Sequence, residues 1–282
     1  MNKLSTEKRK QVINALIEGV GVNATSRLTG VGKQAILRLL ADVGEACAEF
    51  HHQKVRGLKP ERVECDEIWS FVFCKEKSLR PEVRGTYGLG DCWLWTAIDR
   101  DSKVIISYLV GQRTPEDAQD FMMDLSGRIN NTTTLSTDGL SCYPDAVSEA
   151  FGDCVHYGQV IKIFNQEPAN EARYSPAKCT GCKKKAVIGG PRAKNLGTSI
   201  IERSNLTLRS QNKRFARLTL GHSKKIANHE FSIALSMAYY NFCRQHLTLE
   251  EKEPALKGRT PAMAAGLMNR KMTIEDLIGL ID

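Results

Sequence analysis

VECDEIWSFVF, residues 63–73, is the stretch on which the fold turns. Rich in β-branched and aromatic residues, it predicts a strand. Asp66 lies in its middle. An ionised carboxylate inside an apolar strand is costly unless it is paired or holds a cation, so Asp66 is a candidate functional residue. Glu67 competes with it, because neighbours on a strand face opposite ways and only one of them can look at a shared site.

C-terminal to this stretch, DCWLWTAI (91–98) and VIISYLV (104–110) predict two more strands, joined as a hairpin through the turn residues DRDSK. Thr114-Pro115-Glu116-Asp117 opens a capped helix that continues through Phe121, Met122 and Leu125. A fourth strand, Thr132–Thr137, ends on Asp138-Gly139, a short helix covers Pro144 to Ala150, and a fifth strand covers Val160–Phe164. A long loop then leads to a helix holding Glu202, and a final helix runs from Ser223 to about His246. This order predicts a mixed α/β sheet of five strands whose first strands are antiparallel and whose first and fourth can be neighbours. Asp66 and Asp138 would then approach each other, with Glu202 reaching in from its helix. Three such carboxylates could hold one or two Mg²⁺ or Mn²⁺ ions through oxygen ligands, a set suited to in-line phosphoryl displacement. Singly, each has a plainer reading: Asp138-Gly139 as a strand-end turn, Glu202 as a first-turn glutamate favoured by the helix dipole.

On the N-terminal side, Glu7 to Gly19 predicts a helix with Val12, Ile13, Leu16 and Ile17 on one face. VNATSRLTGVGKQAILRLLADV (22–43) then predicts a helix-turn-helix: Ala24, Leu28, Val31, Ile36 and Leu39 fall at inward positions and Gly30 at the turn. Its second helix would present Lys33, Gln34, Leu37 and Arg38; Lys33, Gln34 and Arg38 are of the types that reach phosphates and base edges. Gly57 and Pro60 break the helical pattern. The expected organisation is a helix-turn-helix domain at 1–52, a linker at 53–60, a catalytic domain at 61–250 and a C-terminal helical tail at 251–282.

Forty Lys+Arg against thirty-two Asp+Glu give a net charge of +8. The excess is concentrated: Lys178 to Lys194 holds six cations and no acid, and Arg203 to Lys225 holds seven and no acid. Two such blocks flanking Glu202 call for a polyanion, and double-stranded DNA fits. Lys183, Lys184, Lys185, Arg203, Asn205, Arg209, Lys213 and Arg214 are the candidate contacts. The 41% hydrophobic and 26% charged shares are those of a globular chain and exclude disordered and fibrous classes. With neither a membrane-length apolar run nor a secretory pattern, the chain reads as cytoplasmic and, with DNA as partner, nucleoid-associated. Nine scattered cysteines read as free thiols, and the CxxC of Cys179 and Cys182 lacks a second pair at zinc spacing.

The segments CDEIWSFV (65–72), STDGLSCYPDAV (136–147), RYSPAKC (173–179), TSIIERSNLTLR (198–209), RFARLT (214–219), SKKIANH (223–229), YYNFCRQHLTL (239–249) and TPAMAAGL (260–267) together resemble the transposases of the insertion sequence 1 family. These are DDE recombinases with a ribonuclease-H-like fold. The resemblance covers roughly residues 60–270 and implies that Asp66, Asp138 and Glu202 form a catalytic triad binding two divalent ions, Mg²⁺ or Mn²⁺. It implies hydrolytic nicking at the ends of a mobile element and attack of the freed 3′ hydroxyl on target DNA. It also favours Asp66 over Glu67, and likens Arg209 to the basic residue that such enzymes often carry two helical turns after the glutamate. Asn205, near the same helix face, is expected to orient that glutamate or touch DNA. A homodimer or higher oligomer on DNA is expected, since two ends must be held together. Trp69, Tyr143, Tyr239, Tyr240 and Phe242 are expected to pack, and His229 and His246 to be structural. Family members often carry a cysteine-rich zinc motif ahead of the helix-turn-helix. Here the chain opens almost directly on the helix, so either the helix-turn-helix and basic blocks recognise the ends or the start is truncated. A non-catalytic DNA-binding regulator and a metal-dependent nuclease are the competing readings; retention of all three acids argues against the regulator.

Overall fold

The computed structural model describes residues 4–164, 179–252 and 258–282. Residues 173–178 of the RYSPAKC segment, Lys178 of the first basic block among them, lie outside the described residues, as do 253–257 of the tail.

Three helices open the chain: α1 (Thr6–Ile17), α2 (Val22–Thr29) and α3 (Lys33–Lys54). Ser5 caps α1 by accepting the Lys8 amide, and Gly30 ends α2 at φ 71, a left-handed conformation that costs glycine little. Val31, Ile36 and Leu39 are buried as the periodicity predicts, but Leu28 is 73% exposed. The buried face of α2 is made by Thr25 and Thr29 instead, with the Thr29 hydroxyl donating to the Thr25 carbonyl. α3 runs into the segment expected as a linker, and Leu58 beyond it is tied by its amide to the Arg128 carbonyl.

The sheet is mixed and has six strands, not five: β1 (Arg62–Val72), β2 (Gly90–Asp99), β3 (Ile105–Gly111), β4 (Thr133–Thr137), β5 (Val155–Phe164) and β6 (Cys179–Ile188), in the order β3-β2-β1-β4-β5-β6. β1 is antiparallel to β2 and a neighbour of β4, as expected; it runs parallel to β4, and β6 adds antiparallel to β5. The sixth strand was illegible because Cys179 to Ala186 are exposed on both faces. A solvated edge strand held by backbone pairing shows no apolar alternation.

Helices cover both faces. α4 (Pro115–Ser126) and α5 (Tyr143–Phe151) pack on the face that carries Cys65, Trp95 and Ala97. On the other, α6 (Ser199–Gln211) and α7 (Ile226–Ala238) bury Ile201, Ile233 and Met237 against Ile68, Leu94 and Ile98. α3 crosses α7 at Gly44, where a Cβ would lie 2.5 Å from that of Phe231, so the first helices share one core with the sheet. The expected last long helix breaks at a π-helical turn, Tyr239–Cys243. α8 (Leu247–Lys252), α9 (Pro261–Ala264) and α10 (Ile274–Gly279) follow, and α10 returns to α1, where Lys10 pairs with Glu275.

A buried polar chain ties α7 to the sheet. Arg214 donates to the Ser223 hydroxyl (2.6 Å), Ser223 to Nδ1 of His229 (2.9 Å), His229 Nε2 to the Ser70 hydroxyl (2.9 Å), and Ser70 to the Cys92 carbonyl (3.0 Å). Each hydroxyl donates once and accepts once, which assigns the ring proton to Nε2 and makes the ring neutral. Burial first, then the Arg214 charge, pushes the His229 pKa down to about 3; burial and Arg128 do the same to His51. Between the ordinary value of 6.5 and about 3, the unfolded chain therefore takes up protons that these folded rings refuse. Stability is lost as pH falls through that window, by at most about 1.4 kcal/mol per pH unit for each ring. Urea unfolding at pH 7, 5.5 and 4.5 checks this: His51→Gln should shrink the acid-induced loss relative to wild type, and an identical loss would show that the ring titrates normally.

Candidate active site

The parallel ladder between β1 and β4 pairs Arg62 with Thr134, Val63 with Leu135 and Glu64 with Ser136, and then stops. Continued for two residues, that register would set Asp66 opposite Asp138. The two acids thus stand where the strands part, at the carboxyl end of the parallel pair, the usual place for a site in an open α/β sheet. Asp66, Glu67 and Asp138 each bring an oxygen within 4.8 Å of the others, a group that could hold a metal ion. The expectation that only one of Asp66 and Glu67 can look at the site fails here, because Asp138 lies beyond the last pairing and meets carboxylates from both faces of β1.

The two neighbours are held differently. Asp66, half-buried on the α6 face, accepts the Asn205 amide at 2.8 Å. Glu67 is buried on the α5 face, takes the Tyr143 hydroxyl, and pairs with Arg113 at 3.1 Å. Arg113 also lies 3.7 Å from Asp138 and stacks 4.9 Å over the Trp93 ring. Burial first, and then the Asp138 charge, lifts the Asp66 pKa to about 6 and that of Glu67 to about 7. Crowded, desolvated carboxylates of this kind are relieved by a proton or by a cation.

α6 is docked onto β1 at two points. Glu64, buried two residues before Asp66, accepts the Ile200 and Ile201 amides at 2.7 and 3.1 Å, capping a helix whose cap residue Thr198 makes no side-chain cap bond. Asn205 supplies the second contact. Glu202 lies between them, pairs with Lys162 of β5 at 2.7 Å and accepts the Thr198 hydroxyl. Its charge reaches Asp66 and raises that pKa, but the three-carboxylate group within 4.8 Å is completed by Glu67 rather than Glu202. Arg209, two turns on, has its Nε buried with no hydrogen-bond partner. Burial and Arg217 pull its pKa below the ordinary value, and attraction to Asp66 opposes them.

The residues expected to meet DNA divide into two groups. Lys33, Gln34 and Arg38 are exposed on the first turns of α3; Lys183 and Lys185 are exposed on β6, and Arg203 and Lys213 are exposed at α6 and just beyond it. Lys184 is exposed with its ammonium on the Ala193 and Leu196 carbonyls. Asn205 and Arg214 turn inward, the first to Asp66 and the second to Ser223, so their donors serve the fold around the site. Sequence reasoning missed Glu64, Arg113 and Lys162. Glu64 alone carried a signal: it lies two residues from Asp66, hence on the same strand face. All nine cysteines are free.

No family model matches the chain, and no curated protein matches it. Among solved structures, it is similar to the piggyBac transposase synaptic complex with hairpin DNA at 8% identity, covering 99% of this chain and 72% of that chain with a TM-score of 0.40. The Mos1 strand transfer complex aligns at 11% identity over 84% of this chain and 78% of that one, TM-score 0.25. The Mos1 pre-cleavage transpososome aligns at 10% over 84% and 79%, TM-score 0.24. Likenesses this distant assign neither a family nor an activity. Among the described residues, no helix is long and apolar enough to cross a membrane.

Cation binding should report the crowding of the carboxylates. Calorimetric titration with Mn²⁺ should show binding at pH 7.5 that weakens at pH 5.5, because Asp66 and Glu67 must release the protons they hold below about 6 and 7. Asp138→Asn should weaken it about tenfold or more. Affinity that ignores both pH and the substitution would place the ion elsewhere.

Proposed function

We propose that this chain is a DNA transposase of the DDE type, with a ribonuclease-H-like catalytic domain at 61–250 preceded by a helix-turn-helix domain at 1–52. The observation that carries the reading is the convergence of Asp66 and Asp138 at the parting of β1 and β4, beside a helix that brings Glu202, Asn205 and Arg209 toward them. The resemblance of the segments around Asp66, Asp138 and Glu202 to insertion sequence 1 transposases supports it, as do the two basic blocks.

The donor set is all oxygen, which suits hard divalent cations. Mg²⁺ or Mn²⁺, held as two ions by Asp66, Asp138 and Glu202, would supply activation of a water or a 3′ hydroxyl and stabilisation of the leaving oxygen. Asn205 orients Asp66 through its amide. Tyr143 and Arg113 hold Glu67 and keep it beside Asp138, where it adds negative charge to the site. Lys162 steadies Glu202 in the absence of DNA and offers a cation to a phosphate when DNA arrives. Arg209, two turns after Glu202, would grip a phosphate near the cut through the outer nitrogens of its guanidinium. Lys33, Gln34 and Arg38 would read or position an element end, and Lys183, Lys185, Arg203 and Lys213 would follow the backbone. Duplex DNA is the partner, and a homodimer or larger assembly would hold two ends.

The deciding measurement uses a labelled duplex carrying the element end, with Mg²⁺, with EDTA, and with Asp138→Asn. Nicking and a joined product should appear only with the metal and fall by about a hundredfold or more in the variant, while the variant still binds DNA. Nicking without joining would favour a nuclease, and binding without metal-dependent chemistry a regulator.

A further inference from the structure

The loop between α6 and α7 exposes two large apolar side chains on a fixed support. Phe215 is fully buried, its ring 5.3 Å from that of His229. On the other side Ser223 is held by the Phe73 amide on its carbonyl (2.8 Å) and by the Arg214–Ser223–His229–Ser70 chain at its hydroxyl. Both ends of residues 216–222 are thus anchored in the core. The loop has contacts of its own as well: the Gly221 amide donates to the Thr219 hydroxyl at 2.9 Å, and the His222 ring lies 4.8 Å from that of Phe71. At its tip Leu218 is 92% and Leu220 97% exposed. Anchored at both ends, the loop presents these side chains to water, where each forgoes burial.

The charges around the tip select what covers it. Arg217 lies between Lys213 and the two leucines in sequence and Lys224 and Lys225 follow them, Lys213 packs near Gly221 of the loop, and no acidic residue occurs from Arg203 to Lys225. An apolar protein pocket would answer the leucines and leave the cations unmatched. A DNA duplex offers both surfaces at once, phosphates for the cations and stacked base faces for an apolar wedge. The loop follows directly on α6, the helix that carries Glu202, Asn205 and Arg209, and the charges of Arg217 in the loop and of Asp66 both act on Arg209.

We infer that residues 216–222 form a DNA wedge, with Leu218 and Leu220 entering between base pairs while the flanking cations hold the phosphates on either side. Entry unstacks a base step and kinks the duplex beside the candidate active site. The inference rests on the reading of DNA as substrate, and the test separates the two.

The full-length protein is bound to short duplexes of mixed sequence, each with 2-aminopurine at a different step, whose fluorescence rises on unstacking. Binding is followed in parallel by anisotropy. With wild type at saturation, fluorescence at one or a few steps should rise roughly twofold or more. With Leu218→Ser/Leu220→Ser it should stay at the value of free duplex, while affinity remains within about tenfold because the phosphate contacts persist. The melting temperature of the variant should be unchanged, since these side chains touch solvent. No rise with wild type at saturation would overturn the wedge and leave DNA binding standing. A rise that survives in the variant would also overturn it. A lowered melting temperature, or loss of self-association on sedimentation, would overturn it by giving the leucines to the fold or to a second copy. Failure of wild type to bind any duplex at low salt would remove the DNA reading itself, and the wedge with it.

Discussion

Glu64 binds the first turn of α6 from inside the sheet, and the placement of the site depends on that contact. The first amides of a helix have no partner within it, and here the cap residue supplies none by its side chain. A buried carboxylate on β1 takes the Ile200 and Ile201 amides instead, with Arg100 3.7 Å from its second oxygen. An anion is favoured at a helix N-terminus, and hydrogen bonds to a charged group contribute about 1.5–3 kcal/mol each. That suffices to fix the height and rotation of the helix on the strand. Glu64 and Asp66 share a strand face, so the helix held by the first must pass over the second. Asn205 then reaches Asp66, and Arg209 follows on the same side.

Negative charge is crowded around Asp66, and the fold answers it piecemeal. Asn205 serves Asp66, Tyr143 and Arg113 serve Glu67, Arg113 extends toward Asp138, and Lys162 serves Glu202. None of these contacts removes the mutual repulsion that, with burial, raises the Asp66 and Glu67 pKa values. The cations come from a loop and from β5, elements that can give up an ion pair without disturbing the ladder that positions the aspartates. The arrangement keeps the acids together before any ligand compensates them, which is what preorganisation requires.

Much of this frame was legible because it follows from strand order. Three strands, a helix and a strand make β1 and β4 neighbours, and the apolar run around Asp66 and the turn after Asp138 then put both acids at one end of the sheet. Glu67 joins Asp66 at Asp138 although neighbours on a strand face opposite ways, because Asp138 lies past the last pair of the ladder and meets both faces. β6 carries no strand signal because residues 179–186 are exposed without apolar alternation, and only Val187 and Ile188 at its end pack on the core. Leu28 points outward because two threonines, joined by a hydroxyl–carbonyl bond, make the buried face of α2. Asn205 and Arg214 look like basic-surface residues by their neighbours in sequence. Only the tertiary structure reveals that one amide points at Asp66 and that one guanidinium ends a buried chain through His229.

The two basic blocks reach the acids by separate routes. One lies on β6 and is linked through β5, where Lys162 meets Glu202; the other follows α6 and is linked through Arg209 to Asp66. A phosphate backbone laid across the site would meet cations on both sides and carboxylates between them. Those carboxylates repel it until a divalent ion or a proton compensates them. On the proposed reading, cation and DNA each relieve a charge that opposes the other, so each must tighten the other's binding by the same factor. The ion would then govern retention of DNA as well as the chemistry, and the cation-rich surface would hold DNA in register mainly when the acids are satisfied.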